Sequence, residues 1–471
     1  MGADRQATGE ILIRNADWVL TVDPERRVLS NGSILVRDGI IAWVGKAGEE
    51  PAIGDAMEVI DGRGLLALPG LIDTSIAVVQ QLGRGAADLC DIADYRLQRL
   101  AAYEGALTPA DATAAAEACL IEMIRAGTTC FVDTGSRFPE QIAEATLALG
   151  LRGFIARSCQ DIAQTPFGPV PDTLKPETTA AVVERALSAA FAIRALGDSR
   201  VNAAIGVPWL TVCSDRLGKA LGEAARQHGF LVVVSVSANR DEAVMTRVRD
   251  GRTEFGRLLD MELLGPLTII SHAGWTGPED LPRLVRAGVS IACCPSASHR
   301  LGTGALENGR FPELLAFGAN VTLGSGSAMG SNFVDIARQL YLFAGGSKTF
   351  RLDATVTSPE TVLEMATIRA ARALGLEGEI GSLEPGKRAD IVLFRCLAAD
   401  WVPVINPLAN LTFSARGGAD TVIIDGAILL RGGAVTQADE RAILDACQDH
   451  ADAVMDRSSL RRFCGPSWPV L

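Results

Sequence analysis

The sequence predicts an α/β fold in which a central parallel sheet is flanked by a smaller β-rich domain. Residues 11–45 and 421–434 consist of short apolar runs separated by turn-forming pairs, which is typical of strand meanders. Between about residues 66 and 370, continuous apolar runs such as 230–238 alternate with helical segments, which indicates parallel strands buried on both faces. From these patterns alone, the central sheet is either a (β/α) barrel or a doubly wound sheet.

The length and composition fit one barrel and one smaller domain. The chain has 471 residues, of which 48% are apolar and 21% charged, as is ordinary for folded domains. In chain order we expect the first part of the small β domain at 1–65, the central domain at 66–375, the second part of the small domain at 376–440, and a helix and tail at 441–471. The two β-rich ends are expected to pair in one domain.

Charge and hydropathy exclude two classes of partner. Lys and Arg number 44 against 56 Asp and Glu, a formal net charge of −12, and no basic run suits a phosphate backbone. No apolar stretch reaches the roughly 18–20 residues that cross a bilayer, and the first ten residues are polar rather than a signal peptide. We therefore expect a cytoplasmic protein that binds neither nucleic acid nor membranes. The ten cysteines lack metal-site spacing and are expected to be reduced thiols.

The chain resembles the amidohydrolase superfamily in four segments: 68–85 (LPGLIDTSIAVVQQLGRG), 366–376 (ATIRAARALGL), 381–390 (GSLEPGKRAD) and 422–433 (VIIDGAILLRGG). The branch it resembles most contains chlorohydrolases, guanine and 8-oxoguanine deaminases and triazine hydrolases. The resemblance covers nearly the full chain and implies a (β/α)₈ TIM barrel with a flanking small β-sandwich domain built from both chain ends. It also implies hydrolytic chemistry at the carboxyl ends of the barrel strands, where a divalent ion activates water.

The resemblance places the metal ligands of the family at positions where this chain has other residues. The His-x-His motif of the first barrel strand corresponds to Ser75 and Ala77. The histidine of the fifth strand corresponds to Ser235, the glutamate that shuttles protons to Ala238, and the aspartate of the eighth strand to Gly326. These residues cannot form a nitrogen and oxygen cage for zinc or iron, and no glycine-rich phosphate loop follows a predicted strand. We therefore expect no metal and no other cofactor.

The small residues at these positions predict a neutral cavity lined by the hydroxyl groups of Ser75, Ser235 and Ser325, unless side chains or water fill the space. His272, retained on the sixth strand, is a candidate acid, base or hydrogen-bond donor, with a purely structural role as the alternative. Ser235 is a candidate nucleophile with His272 as its base, although no carboxylate is evident to orient the imidazole. Cys293, at the end of the seventh strand, is a candidate ligand contact, with inert packing as the alternative.

Three further residues are candidate substrate contacts. Gln81, Arg84 and Trp209 fall where the resemblance implies contacts with the ring or carboxylate of a substrate. A planar amide, a fixed cation and an aromatic wall suit a nitrogen heterocycle, while packing within loops is the alternative. The expected partner is therefore a small nitrogen heterocycle.

Two functions are consistent with the sequence. The first is a metal-independent, hydrolase-like enzyme that acts on a C–N bond of a small cyclic nitrogen-containing compound, with His272 and Ser235 as catalytic residues. The second is a non-catalytic homologue that binds a metabolite or serves as a scaffold subunit. The loops outside the metal positions still follow the family pattern, which favours the enzyme. Because relatives often form dimers, a homodimer is expected.

Overall fold

The structure is a computed structural model that describes residues 9–52, 57–165, 168–169, 177–414, 418–465 and 468. In chain order its strands are β1 (Ile11–Leu20), β2 (Val28–Arg37), β3 (Ile40–Lys46), β4 (Glu58–Asp61), β5 (Leu65–Pro69), β6 (Leu71–Ile76), β7 (Thr128–Asp133), β8 (Arg152–Ser158), β9 (Gln164–Thr165), β10 (Gly168–Pro169), β11 (Val201–Val207), β12 (Leu231–Val236), β13 (Thr268–His272), β14 (Ser290–Cys293), β15 (Asn320–Leu323), β16 (Ile391–Arg395), β17 (Thr421–Ile424), β18 (Ala427–Arg431) and β19 (Ala434–Val435).

The helices connect the barrel strands and close the chain. In order they are α1 (Ile92–Asp94), α2 (Ala101–Ala106), α3 (Pro109–Ala126), α4 (Pro139–Leu149), α5 (Thr179–Arg194), α6 (Asp215–His228), α7 (Arg240–Asp250), α8 (Glu254–Asp260), α9 (Leu281–Ala287), α10 (Pro295–Arg300), α11 (Ala305–Asn308), α12 (Phe311–Ala316), α13 (Ala328–Ser331), α14 (Ile336–Arg351), α15 (Pro359–Met365), α16 (Ile368–Ala373), α17 (Pro407–Phe413) and α18 (Glu440–Arg457). Short 3₁₀ segments cover Val78–Gly83, Leu210–Val212 and Arg461–Phe463, and Tyr95–Leu100 is π-helical.

The central domain is a barrel of parallel strands. Within the described residues, eight strands follow one another in the order β6, β7, β8, β11, β12, β13, β14 and β15, each paired in parallel with the next. The last strand meets the first at Ile76 and Gly326, where Gly326 N donates to Ser75 O at 2.9 Å and Ala77 N donates to Gly326 O at 2.8 Å. The predicted (β/α)₈ barrel is therefore confirmed. The alternative that the sequence pattern left open, a doubly wound sheet, does not form among the described strands.

The barrel strands are buried along most of their length because helices cover their outer face and side chains fill the interior. Every residue of β7 and of β12 is buried, for example. The helices begin and end where the sequence supplies caps. Thr108 forms a capping box with Asp111 at the start of α3, and Gly127 ends that helix in a left-handed conformation.

The two β-rich chain ends join in one sheet. In the described part of the chain its order is β19-β18-β17-β16-β5-β1-β2-β3, with β4 beside β1, and β16 pairs antiparallel with β5. Ile41 N donates to Lys387 O at 2.8 Å, so β3 returns to the segment before β16. The sheet thus surrounds a core to which Ile13, Ile34 and Ile423 contribute. The predicted small β domain from both chain ends is confirmed, and the finer division into four segments stays a prediction.

A buried ion pair joins this sheet to the barrel. Arg152 begins the barrel strand β8, and its side chain is only 2% exposed. Its Nε donates to Asp390 Oδ2 at 3.2 Å, and its Nη2 donates to Asp425 Oδ1 at 2.9 Å. Because Asp390 and Asp425 lie next to β16 and β17, the sheet is fixed at the amino-terminal end of β8, which leaves the carboxyl ends of the barrel strands open for a site.

The carboxy-terminal helix α18 packs on α3 at the side of the barrel. His450 Nδ1 lies 2.7 Å from Asp111 Oδ1, and Arg457 pairs with the same carboxylate. None of the described helices has the length and apolar character needed to span a membrane. Most of the polar amino-terminal segment that argues against a signal peptide, residues 1–8, lies outside the described residues.

Candidate functional site

Two adjoining cavities lie at the carboxyl ends of the barrel strands. The inner cavity has a volume of about 70 Å³, and its lining includes Ser75, Ala77, Gln80, Tyr95, Glu104, Trp209, Ser235, Ala238, His272, Ser298, Gly326 and Ser327. The outer cavity has a volume of about 310 Å³, and its lining includes Arg96, Leu100, Arg137, Arg157, Gln160 and Val212. Glu104, Gly135, Pro208 and Trp209 line both cavities, so the two are neighbours. This is where TIM barrels place their sites.

The structure brings some of the predicted site residues together and separates others. The inner cavity is lined by Ser75, Trp209, Ser235 and His272. Gln81 and Arg84 instead turn toward α3, because Gln81 Nε2 donates to Glu122 Oε2 at 2.9 Å and Arg84 pairs with the same carboxylate. Neither is among the described residues that line the two cavities.

Cys293 and Ser325 also lie away from the cavities. Cys293 is buried in β14, and burial raises the pKa of its thiol well above the usual range. Ser325 is buried as well, and its hydroxyl donates to Asp73 Oδ2, while Ser325 N donates to Asp73 Oδ1 at 3.2 Å. In the part of the chain that the structure describes, both residues therefore serve packing or local hydrogen bonding.

The strand ends do not offer a donor set for the divalent ion that the resemblance implies. The Ser75 hydroxyl lies 2.8 Å from the Ser271 hydroxyl and also interacts with the Cys294 thiol. Burial raises the pKa of Cys294 to about 12, whereas metals bind the thiolate. Across the described ranges, no group of three or more His, Cys, Asp or Glu side chains could hold a metal ion. The residues present at the barrel mouth therefore do not fit such an ion.

We expect the purified chain to contain no stoichiometric metal. Protein produced with zinc, iron and manganese in the medium and then dialysed should hold far less than one ion per chain by mass spectrometry, because the donor set is missing. A zinc enzyme carried through the same dialysis controls for metal loss during handling. One tightly held ion per chain would contradict this prediction.

His272 ends β13 in a strained backbone conformation. Its φ is +72° and that of Ala273 is +50°, a left-handed region that costs non-glycine residues about 1–3 kcal/mol each and that is common at functional sites. The His272 ring lies parallel to the indole of Trp209, with centroids 5.9 Å apart and planes 10° apart. Desolvation and the charge of Arg96 lower the pKa of His272 to about 4, so its imidazole is neutral at pH 7.

Ser235 lies on the neighbouring strand but does not form the expected nucleophile–base pair. In the register of β12 and β13, Ser235 is opposite Ser271, and Val236 is opposite His272. Among the hydrogen bonds between described residues, none joins the Ser235 hydroxyl to the His272 ring. Ser235 therefore contributes a hydroxyl to the cavity wall without activation by the imidazole.

Glu104 is a carboxyl group at the site that the sequence analysis does not identify. It lies on α2, lines both cavities and accepts a hydrogen bond from Gln80 Nε2 at 3.2 Å. Desolvation raises the pKa of Glu104 to about 7. The available sequence signal is weak, since it is one acidic residue beside the buried Ala101 and Tyr103 of the same helix.

Two arginine side chains of the outer cavity, Arg137 and Arg157, form no ion pair with the described residues. Arg137 Nη1 donates to Glu104 O at 3.3 Å, and Arg157 Nη1 donates to Arg137 O at 3.2 Å. No carboxylate of a described residue lies within ion-pair distance of either guanidinium, whereas Arg185 in the same wall pairs with Glu177. Guanidinium groups attract anions, and carboxylates suit their geometry.

Buried carboxyl groups around the barrel mouth make stability depend on pH. Burial raises the pKa of Asp73 and of Asp133 to about 7, and burial together with the charge of Glu242 raises that of Glu254 to about 8. Each of these carboxyl groups has a higher pKa in the folded chain than in the unfolded chain, so the folded chain binds its proton more tightly. This difference stabilises the fold fully at a pH below the unfolded pKa, and the stabilisation is lost as the pH rises through the folded pKa. We therefore expect the free energy of unfolding, measured in urea, to fall between pH 6.5 and 8.

Between pH 6.5 and 8, the buried carboxyl groups should determine how the free energy of unfolding changes with pH. The lowered pKa of His272 acts with the opposite sign between pH 6.5 and 4, below the window. Glu254→Gln removes one of the carboxyl groups and should flatten the pH dependence. A free energy of unfolding that increases from pH 6.5 to 8 would contradict the raised pKa values of these carboxyl groups.

Comparisons with known proteins match the chain to a family model and to relatives that are named as deaminases. Residues 66–429 match the model of the amidohydrolase family. The chain is 31% identical over 416 residues to a 5-methylthioadenosine/S-adenosylhomocysteine deaminase of Syntrophobacter fumaroxidans, covering 88% of this chain and 91% of the relative. It is 28% identical over 450 residues to a 5′-deoxyadenosine deaminase of Methanosarcina mazei, covering 95% and 99%.

Solved structures show the same fold. An adenosine deaminase from Xanthomonas campestris with bound zinc superimposes with a TM-score of 0.86 at 22% identity, covering 95% of this chain and 99% of that one. An atrazine chlorohydrolase from Arthrobacter aurescens complexed with zinc gives a TM-score of 0.85 at 25% identity, covering 94% and 100%. Since the family model matches well over half of its length, the chain belongs to the amidohydrolase family.

Proposed function

We propose that this chain is a metal-independent enzyme that hydrolyses the exocyclic C–N bond of an adenosine-like nucleoside carrying an anionic substituent. The observation that carries this proposal is the junction of the two cavities, where Glu104 faces both. The relatives are named as deaminases of adenosine derivatives, one of them of S-adenosylhomocysteine. That compound has a purine at one end and a carboxylate at the other, which matches a polar inner cavity beside a cationic outer one.

The two cavities divide the recognition of such a ligand. The inner cavity offers the amide of Gln80, the carboxyl group of Glu104 and the neutral ring of His272, which suit the donors and acceptors of a nitrogen heterocycle. The outer cavity offers Arg137 and Arg157 to a carboxylate. A nucleoside with a charged tail therefore uses both cavities, whereas plain adenosine uses the inner cavity and its rim.

Glu104 is the group best suited to move a proton at neutral pH, because its pKa of about 7 lies near the working pH. As a carboxylate it accepts a proton from water, whose oxygen bonds to the ring carbon that carries the amine. The same proton passes to the amine, which leaves as ammonia when its bond to the ring carbon breaks. The second proton of the water moves to the adjacent ring nitrogen, so that water and nucleoside give ammonia and the oxo product. With a pKa of about 4, His272 is a weak base, and we assign it a hydrogen bond to the ring.

The expected rate is low. A positioned acid–base group contributes about 10²–10⁴ in rate. In contrast, a metal that lowers the pKa of water from about 15.7 to about 7 supplies about 12 kcal/mol at about 1.36 kcal/mol per pKa unit. Turnover without that contribution should be far slower than that of zinc enzymes, so the assay must run for hours.

The test uses the full chain after dialysis against a chelator. Adenosine, 5′-deoxyadenosine and S-adenosylhomocysteine are incubated with it for hours, and ammonia and the nucleoside products are followed by mass spectrometry. We expect conversion of S-adenosylhomocysteine that added chelator does not change. Arg157→Met should weaken binding of S-adenosylhomocysteine more than binding of adenosine, while Arg338→Met on α14, outside both cavities, is the matched control. Conversion that requires added metal would contradict the proposal.

A nucleoside-binding protein without turnover is the second candidate function. It is favoured by Ser235 and Ala238, which offer neither a metal ligand nor a proton shuttle at the end of β12. Calorimetric binding of S-adenosylhomocysteine, with the ligand recovered unchanged after hours, would establish this function in place of the enzyme. The homodimer stays a prediction, which sedimentation of the full chain tests.

A further inference from the structure

We propose that Arg96 and Glu242 form a clamp that holds the indole of Trp209 flat against His272 and so fixes the wall between the two cavities. In this role Arg96 and Glu242 are positioning residues, since they act on the site through Trp209. The inference rests on the proposed function only in assigning a nucleoside to the inner cavity.

Arg96 lies directly over Trp209. The central carbon of its guanidinium is 3.5 Å from the centroid of the indole, and the indole is also stacked on the ring of His272. The indole therefore contacts both a cation and an imidazole. A guanidinium on the face of tryptophan is a favourable arrangement, and it is stronger where water is excluded.

Glu242 fixes the direction of the guanidinium. Arg96 Nη1 donates to Glu242 Oε1 at 3.2 Å and Arg96 Nη2 donates to Glu242 Oε2 at 3.1 Å, so the pair is bidentate. The two side chains are 7% and 0% exposed. Two parallel hydrogen bonds define the plane of a guanidinium, which one bond does not.

The carboxylate of Glu242 is itself held by the backbone that follows β12. Its Oε2 accepts a hydrogen bond from Ala238 N at 3.0 Å, and Glu242 N donates to Asn239 Oδ1 at 3.0 Å at the start of α7. Ala238 is the position at which the resemblance places the shuttle glutamate of the family. Among the described residues, Glu242 lines neither cavity, so its carboxylate serves Arg96.

A second carboxyl group, Glu254, lies near the pair. Glu254 accepts a hydrogen bond from Ser237 Oγ at 2.5 Å, and burial together with the charge of Glu242 raises its pKa. Among the described residues, the carboxylate that pairs with Arg96 is that of Glu242. Removing either member of a buried ion pair leaves the charge of the other without a partner. Substitution of Arg96 or of Glu242 should therefore release the indole of Trp209 in the same way.

The clamp has a consequence for ligand binding because Trp209 lines both cavities. If the indole leaves His272, the inner cavity loses its aromatic wall and opens into the outer one. Affinity for adenosine, which depends on the inner cavity, should then fall through a change in Trp209 and not through a lost contact of Arg96 with the ligand.

The experiment compares Arg96→Met, Arg96→Lys and Glu242→Gln in the full chain and in a Trp209→Leu background, which lacks the aromatic face. Calorimetry with adenosine should show affinity about tenfold weaker for Arg96→Met, the size expected when a buried cation leaves an aromatic face. In the Trp209→Leu background the same substitution should change affinity by less than about twofold, since both substitutions act on the same wall. Near-ultraviolet circular dichroism of the ligand-free protein should lose a tryptophan band in Arg96→Met but not in that background.

The controls separate the clamp from general destabilisation and from the proposed function. Arg338 lies 3.7 Å over the ring of Phe333, so Arg338→Met removes a similar contact elsewhere and should leave both readouts unchanged. Glu242→Gln keeps the shape of the pair and provides the test if Arg96→Met does not fold. Equal losses of affinity with and without Trp209, or an unchanged tryptophan band in Arg96→Met, would overturn the clamp. Failure of the parent chain to bind both adenosine and S-adenosylhomocysteine would reject the proposed function, while the tryptophan band would still decide the clamp.

Discussion

Arg152→Met should lower the free energy of unfolding by about 3–5 kcal/mol, the usual effect of removing one partner from a buried ion pair. The guanidinium of Arg152 is bonded to Asp390 and Asp425, and Asp425 N donates to Asp390 Oδ1 at 3.1 Å. Without Arg152, the buried Asp390 must be protonated or exposed. Because the three residues connect the sheet to the barrel, the loss should destabilise both parts together. Urea denaturation followed by circular dichroism measures the change.

A surface pair provides the control for this substitution. Arg63 forms an ion pair with Asp61, two residues earlier in the same sheet domain, and both side chains are exposed. Arg63→Met should leave the urea midpoint unchanged, because solvent screens exposed pairs. Equal losses of unfolding free energy in Arg63→Met and Arg152→Met would show that the buried ion pair between sheet and barrel stabilises the fold no more than a surface pair.

Glu104→Gln should reduce the turnover of S-adenosylhomocysteine by about 10²–10⁴, the range for loss of a general acid–base group. The amide has nearly the shape of the carboxyl group, so the cavity should be preserved, but it cannot exchange a proton. We therefore expect kcat to fall while affinity for the nucleoside changes little. Comparing kcat with the calorimetric Kd of the same variant measures both.

The pH profile identifies the group that titrates. If Glu104 accepts the proton of water, the rate of the parent chain should rise with pH and level off above about 7, where Glu104 is a carboxylate. Glu122→Gln alters a carboxylate outside both cavities and serves as the matched control, expected to keep this profile. A profile that persists in Glu104→Gln would assign the step to another group.

The fold could be predicted from the sequence to the level of parallel strands, because strands buried on both faces need a continuous apolar run. The runs in β12 and β13 show this clearly. Closure of the barrel is different, since it depends on a contact between Ile76 and Gly326 that no local pattern encodes. The resemblance supplied that part of the prediction.

The site could be predicted where the fold alone determines a position. Residues at the carboxyl ends of barrel strands point to one place, and so Ser75, Ser235 and His272 meet at the inner cavity. Gln81 and Arg84 follow the first strand in a 3₁₀ turn, and their direction depends on Glu122, about 40 residues later on a helix. That interaction is tertiary, and a sequence pattern does not contain it.

The residues that the sequence analysis missed lie on the helical segments above the barrel mouth. Arg96 and Glu104 belong to the π-helical segment and to α2, where charged residues usually face solvent. Their roles follow from tertiary contacts, which place Arg96 on Trp209 and Glu104 between the cavities. Only the packing of the whole chain reveals such positions.

The backbone at Gly326 limits which side chains this position accepts. Its φ is +77°, and a Cβ atom at this position would lie 3.2 Å from Ala297 Cβ, so Gly326→Asp would be both strained and crowded. The hydroxyl of Ser75 lies 2.8 Å from that of Ser271, so Ser75→His would remove an existing hydrogen bond. Building the metal ligands of the family into this pocket would therefore require several substitutions at once, each unfavourable alone. An engineered metal site at this barrel mouth is thus not one mutation away.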